Sequence, residues 1–411
     1  KTDGDWTRPL GKSNTSEDYL SGQFNLSGKF TTGVLTHTLL TGVDADRYLN
    51  TNYVYTEANQ YLDGSFNLVS NAYDVINLLD PNKYTPRTDF PTMNALKVTE
   101  TPTIRYGIYA NDLITISPKF NALLGLRWSY QKAYSAKTTN LRTDAVTRGA
   151  AKDDQAFSPR VGLVYKPLPT TSVFASYTNS FSVNTGLDIN GDALKPSIID
   201  QYEVGVKNDL FKGLLSANLS LYSIVNHNLA QTALFRADGT ENTDPNIKEL
   251  AGQTKSKGFE IDLSGHPLAG LDIIAGYSFN DMRYTKTPDR PGNFKEGQRV
   301  VNSPAHTANA SVFYTLKNTN LRGLKLGATA NYVGERWGGW NNTFGQTQDN
   351  RLILVSDFTT VDISAGYSFK KFSLLAKVSN LGNTLNYYVH ENYSINPIPP
   401  RQFATTVTYK F

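Results

Sequence analysis

The sequence predicts an all-β fold, a transmembrane antiparallel β-barrel that occupies residues 1–411 throughout. Three observations predict it: side chains alternate between apolar and polar, connections alternate between short and long, and aromatics are abundant where aliphatics are few. The hydrophobic fraction is 39%, yet the chain has 24 Tyr and 20 Phe. This balance suits a single-layer wall with one apolar face and one wet face better than a deep shared core.

The alternation is clearest at the C-terminal end of the chain. Phe403, Val407 and Phe411 share one face of an extended segment, whereas Gln402 and Lys410 lie on the other. Successive side chains of a strand point to opposite faces, and a helix would scatter the same residues around its circumference. The pattern recurs in 120–131, 271–280 and 359–369. The polar positions carry Gly, Ser, Asn and charges, which suit a watery lumen.

About fifteen such runs follow one another, each of roughly the length that tilted membrane strands require. They start near Tyr19, Val34, Thr101, Lys119, Phe157, Thr170, Ser197, Leu214, Ala251, Leu271, Asn302, Leu321, Asp357, Phe372 and Arg401.

The connections between the runs alternate in length along the chain. Short turns with Gly or Pro occupy 30–33, 117–118, 166–169, 211–213 and 266–270, and long polar segments occupy 49–100, 135–156, 229–250, 286–301 and 338–356. Tight periplasmic turns and long external loops are typical of outer-membrane barrels. An antiparallel barrel cannot close with an odd number of strands, and the chain begins at Lys1 without a Met. We therefore expect this chain to be the C-terminal part of a longer protein.

Several classes of function have no support in the sequence. There is no Cys, no uninterrupted apolar run long enough for a membrane helix, and a net charge of only +4, which gives no reason to expect nucleic acid as a partner. Nucleophile-elbow, zinc-protease and phosphate-loop motifs are absent, and the five His are scattered. Residues 188–192 space three oxygen ligands as a calcium loop does, but Gly191 falls one position early, so a glycine-containing loop tip is the simpler interpretation. We expect no enzyme activity and no metal or cofactor bound by side chains.

A series of short motifs resembles one family in its order and spacing. The motifs are the segments 39–44, 157–167, 194–207, 258–262, 276–279, 302–306, 331–334, 378–383 and 400–411. Together they resemble the barrel of TonB-dependent siderophore receptors of the bacterial outer membrane. The resemblance implies that the chain supplies about 15 strands of a 22-stranded barrel. The plug domain of that family and its TonB-contacting box are absent from this sequence.

The resemblance also implies a function, namely active, TonB-coupled uptake of a ferric siderophore bound by the external loops. Ferric iron would then be carried by the siderophore, and the implied partners are the siderophore, the TonB complex through the N-terminal part, and outer-membrane lipid, with the receptor a monomer. Two alternatives stay open within the membrane: a passive porin-like channel, and TonB-dependent uptake of cobalamin, haem or an oligosaccharide. A soluble all-β glycan-binding protein or hydrolase is a third, which the alternation and the loop asymmetry disfavour.

Aromatic and cationic residues of the long loops are the candidate ligand-binding site. Rigid aromatics at a pore mouth can stack on a planar or hydrophobic ligand, and Arg can pair with an anionic chelate. An aromatic belt or ordinary loop packing is the competing interpretation of the same residues. The candidates are Trp337, Trp340, Arg336, Arg351, Tyr387, Tyr388, Tyr393, Tyr53 and Tyr55.

Overall fold

A computed structural model describes most of the chain. The described residues are 3–8, 10–55, 61–62, 68–70, 73–90, 92–233, 235–242, 244, 247–287, 295–317, 321–339, 352–390 and 394–411. The chain divides into two compact units, each built from separate stretches of sequence. The first comprises 1–25, 42–109 and 128–156, and the second comprises 26–41, 110–127 and 157–411.

Fifteen long strands account for most of the described secondary structure. They are β1 (Ser13–Thr32), β2 (Leu35–Tyr55), β3 (Ala95–Ser117), β4 (Phe120–Ala133), β5 (Lys152–Leu168), β6 (Thr171–Ser182), β7 (Ser197–Leu210), β8 (Leu215–Thr232), β9 (Lys248–Leu268), β10 (Leu271–Lys286), β11 (His306–Thr315), β12 (Lys325–Val333), β13 (Phe358–Phe369), β14 (Phe372–Ser379) and β15 (Gln402–Tyr409). Their number and order confirm the predicted runs.

Short elements lie before β1, in the long connections and, in one case, in a short turn. They are Asp5–Arg8 paired with Asp74–Asn77, Tyr61–Leu62 with Leu68–Ser70, Lys137–Asn140 with Val146–Arg148, Arg336–Gly338 with Ile353–Val355, Tyr387–His390 with Ser394–Pro397, and a 3₁₀ turn at Phe211–Gly213. Among the described residues, no helix is both long enough and apolar enough to cross a membrane.

In the second unit, β5 to β15 form a continuous antiparallel meander, in which each strand pairs with the next along the chain. Tight hairpins make this possible where one or two residues adopt the left-handed conformation. Gly270 has φ +88° between β9 and β10, and Lys370 has φ +53° between β13 and β14. The connections alternate between short and long, as predicted.

The apolar side chains of the strands are exposed rather than buried. On β9, Ile261 and Leu263 are exposed apolar residues of one face, while Glu260 and Asp262 lie on the other. The buried apolar residues of the described chain lie instead in the long connections or at the outer ends of strands; they are Tyr73, Leu194, Ala233, Tyr284, Val355, Val389 and Ile398. In the part of the chain that the structure describes, the sheet has an exposed apolar face without an apolar core packed on it, which suits contact with lipid.

Several strands extend further into the long connections than the alternation predicted. β3 begins at Ala95 rather than near Thr101, and β5 begins at Lys152 rather than near Phe157. Beyond the membrane both faces of a strand are wet, so the apolar–polar alternation stops although the backbone ladder continues. Polarity therefore marked the end of the membrane layer, not the end of the strand.

Candidate ligand-binding loops

The connections after β12 and β14 fold together at the long-loop end of the second unit. Arg336–Gly338 pairs with Ile353–Val355, and Tyr387–His390 pairs with Ser394–Pro397. The two hairpins pack on each other through Val355 and Val389, which are both buried, and we call this assembly the loop cluster. A Cβ at Gly338 would lie only 2.6 Å from Cβ of Val389. Glycine is therefore required there for the hairpins to approach.

Arg336 is held inside the loop cluster. Only 6% of it is exposed, and its Nη2 donates to the carbonyl oxygen of Tyr387 at 2.7 Å and to Oδ1 of Asn386 at 3.4 Å. Its guanidinium lies 5.5 Å from the ring centre of Phe358. Burial lowers the pKa of Arg336 from its ordinary value. The contacts described for this guanidinium join the two hairpins, and its predicted contact with a ligand stays a prediction.

Nη1 of Arg336 is buried without a hydrogen-bond partner among the described residues. Asn386 also joins the two connections, because its Nδ2 donates to the carbonyl oxygen of Ser356 at 3.1 Å. The backbone N–H of Asn302 donates to the carbonyl oxygen of Trp337, with N and O 2.6 Å apart. This bond joins the connection before β11 to the loop cluster.

Three of the predicted aromatic residues are exposed on the loop cluster. Trp337 is 40% exposed, Tyr387 41% and Tyr388 49%. Their backbones are fixed by the hairpin ladders, so the rings are presented by rigid elements rather than by loose loops. Trp340, Arg351 and Tyr393 lie outside the described residues.

Tyr53 and Tyr55 belong to the first unit, at the end of β2. Both are half-buried and project to the same face of the strand. Nζ of Lys12 lies 4.5 Å from the ring centre of Tyr55. The structure therefore brings Trp337, Tyr387 and Tyr388 together on one assembly, and it places Tyr53 and Tyr55 in another.

The first unit also contains a small sheet that was not predicted from the sequence, which we call the polar sheet. It consists of Asp5–Arg8 and Asp74–Asn77 in antiparallel register. Arg8 forms an ion pair with the buried carboxylate of Asp74. Nδ2 of Asn77 donates to Oδ1 of Asp5 at 2.7 Å, and its own Oδ1 accepts two backbone N–H groups, so it closes the following turn.

Ion pairs extend the polar sheet into residues 83–89. Nζ of Lys83 lies 2.9 Å from Oδ1 of Asp5, and this hydrogen bond, with that from Asn77, lowers the pKa of Asp5 to about 2. Arg87 pairs with Asp89 at 2.6 Å and lowers the pKa of that carboxyl group. The four-residue strands are too short to show a periodic signal, which is why the sequence did not reveal them.

The calcium-like spacing at 188–192 forms a closed turn. Oδ1 of Asp188 accepts the backbone N–H groups of Asn190 and Asp192, each at 2.8 Å, and Gly191 has φ +87°. This is the glycine-containing loop tip that the sequence favoured. Within the described ranges, the structure contains no group of three or more His, Asp or Glu placed to hold a metal ion.

Comparison with known protein families identifies the family of this chain. The family model described as TonB dependent receptor-like, beta-barrel, matches residues 1–381. The chain belongs to this family. It is thus an outer-membrane β-barrel protein of a receptor and transporter family, not an enzyme, as the motif series predicted.

Two curated relatives align with most of this chain. The chain is 28% identical over 396 residues to the metal-pseudopaline receptor CntO of Pseudomonas aeruginosa, covering 95% of this chain and 51% of the relative. It is 26% identical over 410 residues to the ferrichrome outer membrane transporter/phage receptor of Escherichia coli, covering 94% and 47%. The chain thus spans about half the length of the curated relatives it matches.

Solved structures show the same fold. The siderophore receptor PiuA of Acinetobacter baumannii superposes with a TM-score of 0.78 at 21% identity, over 99% of this chain and 58% of that one. BauA, the ferric preacinetobactin receptor of the same species, superposes with a TM-score of 0.76 at 21% identity, over 100% and 56%. The predicted barrel fold is confirmed.

Proposed function

We propose that the protein is a TonB-coupled receptor that takes up a ferric siderophore, and that the loop cluster contacts the chelate. The observation that carries the proposal is the exposure of Trp337, Tyr387 and Tyr388 on hairpins that share a buried core. Aromatic rings on rigid backbones offer contact area at low entropic cost. The relatives named for ferrichrome and preacinetobactin support a ferric chelate as ligand.

In this proposal the chain itself performs no bond chemistry. Iron enters as cargo coordinated by its chelator, so the loops need to supply apolar contact and hydrogen bonds rather than metal ligands. The complementary parts of the receptor, including its contact with TonB, would lie outside the residues of this chain. Energy coupling is accordingly assigned to the whole receptor.

The test compares the intact gene with its deletion during growth under iron limitation, with single siderophores supplied. We expect one siderophore to restore growth only when the gene is present and the energy-coupling system is intact. Growth that survives loss of energy coupling would instead support a passive channel. Equal growth of the two strains on every siderophore would remove the ferric assignment.

The role of the loop cluster is tested with the full-length receptor. Replacing Trp337, Tyr387 and Tyr388 together by Ala should weaken binding of the identified chelate at least tenfold, measured by titration calorimetry. Phe90→Ala is the control, because Phe90 is an exposed aromatic of the first unit that is assigned no role. If both variants bind as the parent does, the loop cluster is not the binding surface.

The similarity to the metal-pseudopaline receptor favours a second candidate, a metal chelate whose metal is not restricted to iron. The same calorimetric titration distinguishes the two when one chelator is loaded in turn with iron, zinc and nickel. Affinity for the iron complex alone supports the ferric proposal, and equal affinities support the broader one.

A further inference from the structure

The short-turn ends of the strands in the second unit are strongly basic. Positions 117–120, 166–171, 209–214, 266–272, 316–325, 369–372 and 410–411 contain nine Lys and Arg but only two acidic residues, Asp209 and Asp272. The chain as a whole is nearly balanced, with 40 Lys and Arg against 36 Asp and Glu. The short turns of this barrel class face the periplasm, so positive charge is concentrated at that end.

Aromatic rings accompany these cations on the exposed apolar face. Phe120 stacks on Tyr165 with ring centres 4.6 Å apart, and Phe372 contacts Tyr409 at 4.8 Å. Tyr409 belongs to the same face of β15 as Phe403 and Val407. Aromatics at the end of an apolar face lie at the depth of lipid headgroups.

Two lysines of the tight β13–β14 turn are directed toward this aromatic layer. Nζ of Lys370 lies 5.3 Å from the ring centre of Phe369, and Nζ of Lys371 lies 5.9 Å from that of Tyr409. Both rings belong to the apolar face, so the two ammonium groups stand beside the lipid-facing surface. Lysine stems can lie along apolar surface while the charged group reaches the headgroup layer.

We propose that this basic rim is a binding surface for the phosphate headgroups of anionic phospholipids in the periplasmic leaflet, with Lys370 and Lys371 at its centre. Of the two carboxylates in the rim, Asp272 is already paired with His266 inside its own turn. The rim therefore keeps a large excess of positive charge, which is complementary to an anionic leaflet. The proposal does not depend on which ligand the receptor transports.

A lipid fits the rim better than an acidic protein does. An acidic protein would require cations on a surface that faces water, whereas Lys370 and Lys371 lie beside rings of the lipid-facing side. The headgroups of the leaflet surround the barrel, and the cations are correspondingly distributed over several successive turns instead of forming one patch. Each lysine near an anionic leaflet contributes roughly a fivefold preference.

The experiment measures which lipids surround this end of the full-length receptor. Leu374→Cys, on the exposed apolar face of β14 two residues from Phe372, carries a fluorophore, and the protein is reconstituted in vesicles. Brominated phosphatidylglycerol and brominated phosphatidylcholine are the quenchers. We expect phosphatidylglycerol to quench several-fold more effectively, and the preference to fall by roughly tenfold or more in K370Q/K371Q.

Two further variants control for charge and folding. K97Q/K132Q removes two lysines from the long-loop ends of β3 and β4 and should leave the preference intact, while K370R/K371R should retain it because the charges persist. No preference in the parent, or an equal preference in K370Q/K371Q, would overturn the proposal. So would a preference abolished equally by K97Q/K132Q, because the effect would then follow total charge.

Discussion

The polar sheet of the first unit and the loop cluster of the second are both small assemblies of loop segments, but different interactions stabilise them. Each joins segments that lie far apart in sequence at the long-loop ends of strands. The polar sheet is held by partly exposed ion pairs around Asp5, Asp74 and Asp89. The loop cluster is held by buried Val355 and Val389 around one buried cation, Arg336.

The difference teaches where each assembly is vulnerable. Exposed ion pairs are screened by salt and titrate with pH, and each contributes little. Buried apolar contacts respond to neither, but they are sensitive to the loss or gain of a single methyl group. We therefore expect the polar sheet to respond to solution conditions and the loop cluster to respond to mutation.

The largest effect is expected from Arg336→Ala. The variant removes the donor to the carbonyl oxygen of Tyr387 and to Oδ1 of Asn386, both in a buried site. This loss should reduce the local stability of the loop cluster by about 2–3 kcal/mol. Hydrogen exchange of residues 384–390 and 394–398 should accelerate about a hundredfold. Arg87→Ala is the matched change in the polar sheet, where the partly exposed Arg87 pairs with Asp89. If Arg87→Ala accelerated hydrogen exchange in the polar sheet as much as Arg336→Ala does in the loop cluster, the distinction between the two assemblies would be contradicted.

Gly338→Ala tests the close approach of the two hairpins. The added methyl group meets Val389 and should destabilise the loop cluster by about 1–3 kcal/mol. Val389→Gly removes Cβ, the atom that the methyl group meets, so the double variant should be less destabilised than the sum of the single changes. Hydrogen exchange of both hairpins measures this coupling. Strict additivity would show that the two side chains do not limit each other.

Acid should open the polar sheet selectively. The pKa of Asp5 is depressed from 3.8 to about 2, and the pKa values of Asp74 and Asp89 are lowered too. A depressed carboxyl pKa contributes stability above the unfolded value, and that stability is lost as pH falls through the folded value. Between about pH 4 and pH 2, backbone protection of residues 5–8 and 74–77 should decline while the loop cluster stays closed.

The control for the acid experiment is Asp5→Asn with Asp74→Asn. This double variant should begin with a weakened sheet and lose most of the decline below pH 4, because of the three carboxylates only Asp89 remains. Opening of the loop cluster over the same pH range in the parent would contradict the assignment of the response to these carboxylates.

The smallest effect is expected from Lys83→Gln. It removes one exposed partner of Asp5 while Asn77 still donates to the same carboxylate. Protection of residues 5–8 should change by less than threefold at low salt and not measurably at high salt. A salt-independent change would mean that Lys83 acts through packing.

The sequence predicted the wall well because one physical rule governs it. A strand between lipid and water must alternate, and β10 and β14 begin at Leu271 and Phe372, where the alternation begins. The starts of β3 and β5 were placed too late, because above the membrane the alternation ends while the backbone pairing continues. The predicted starts were wrong because the alternation reports where a strand is in contact with lipid, not where its backbone pairing begins.

The candidate site could be predicted as a region but not as an assembly. The aromatic content of 336–340 and 387–393 is visible in the sequence, and it singled out these two loops as candidates. That Arg336 is buried while Trp337 is exposed could not be read from adjacent residues. It follows from the approach of Val389 to Gly338, a contact between positions 51 residues apart.

The sequence by itself determined the all-β wall, its apolar face, the alternation of short and long connections, and the family. These features repeat locally, so each strand carries its own signal. Only the tertiary structure decided which loop residues are buried, which aromatics are presented, and that Asp5–Arg8 pairs with Asp74–Asn77. Each such contact joins two segments that lie far apart in sequence. Neither segment has a periodic pattern that identifies the other as its partner.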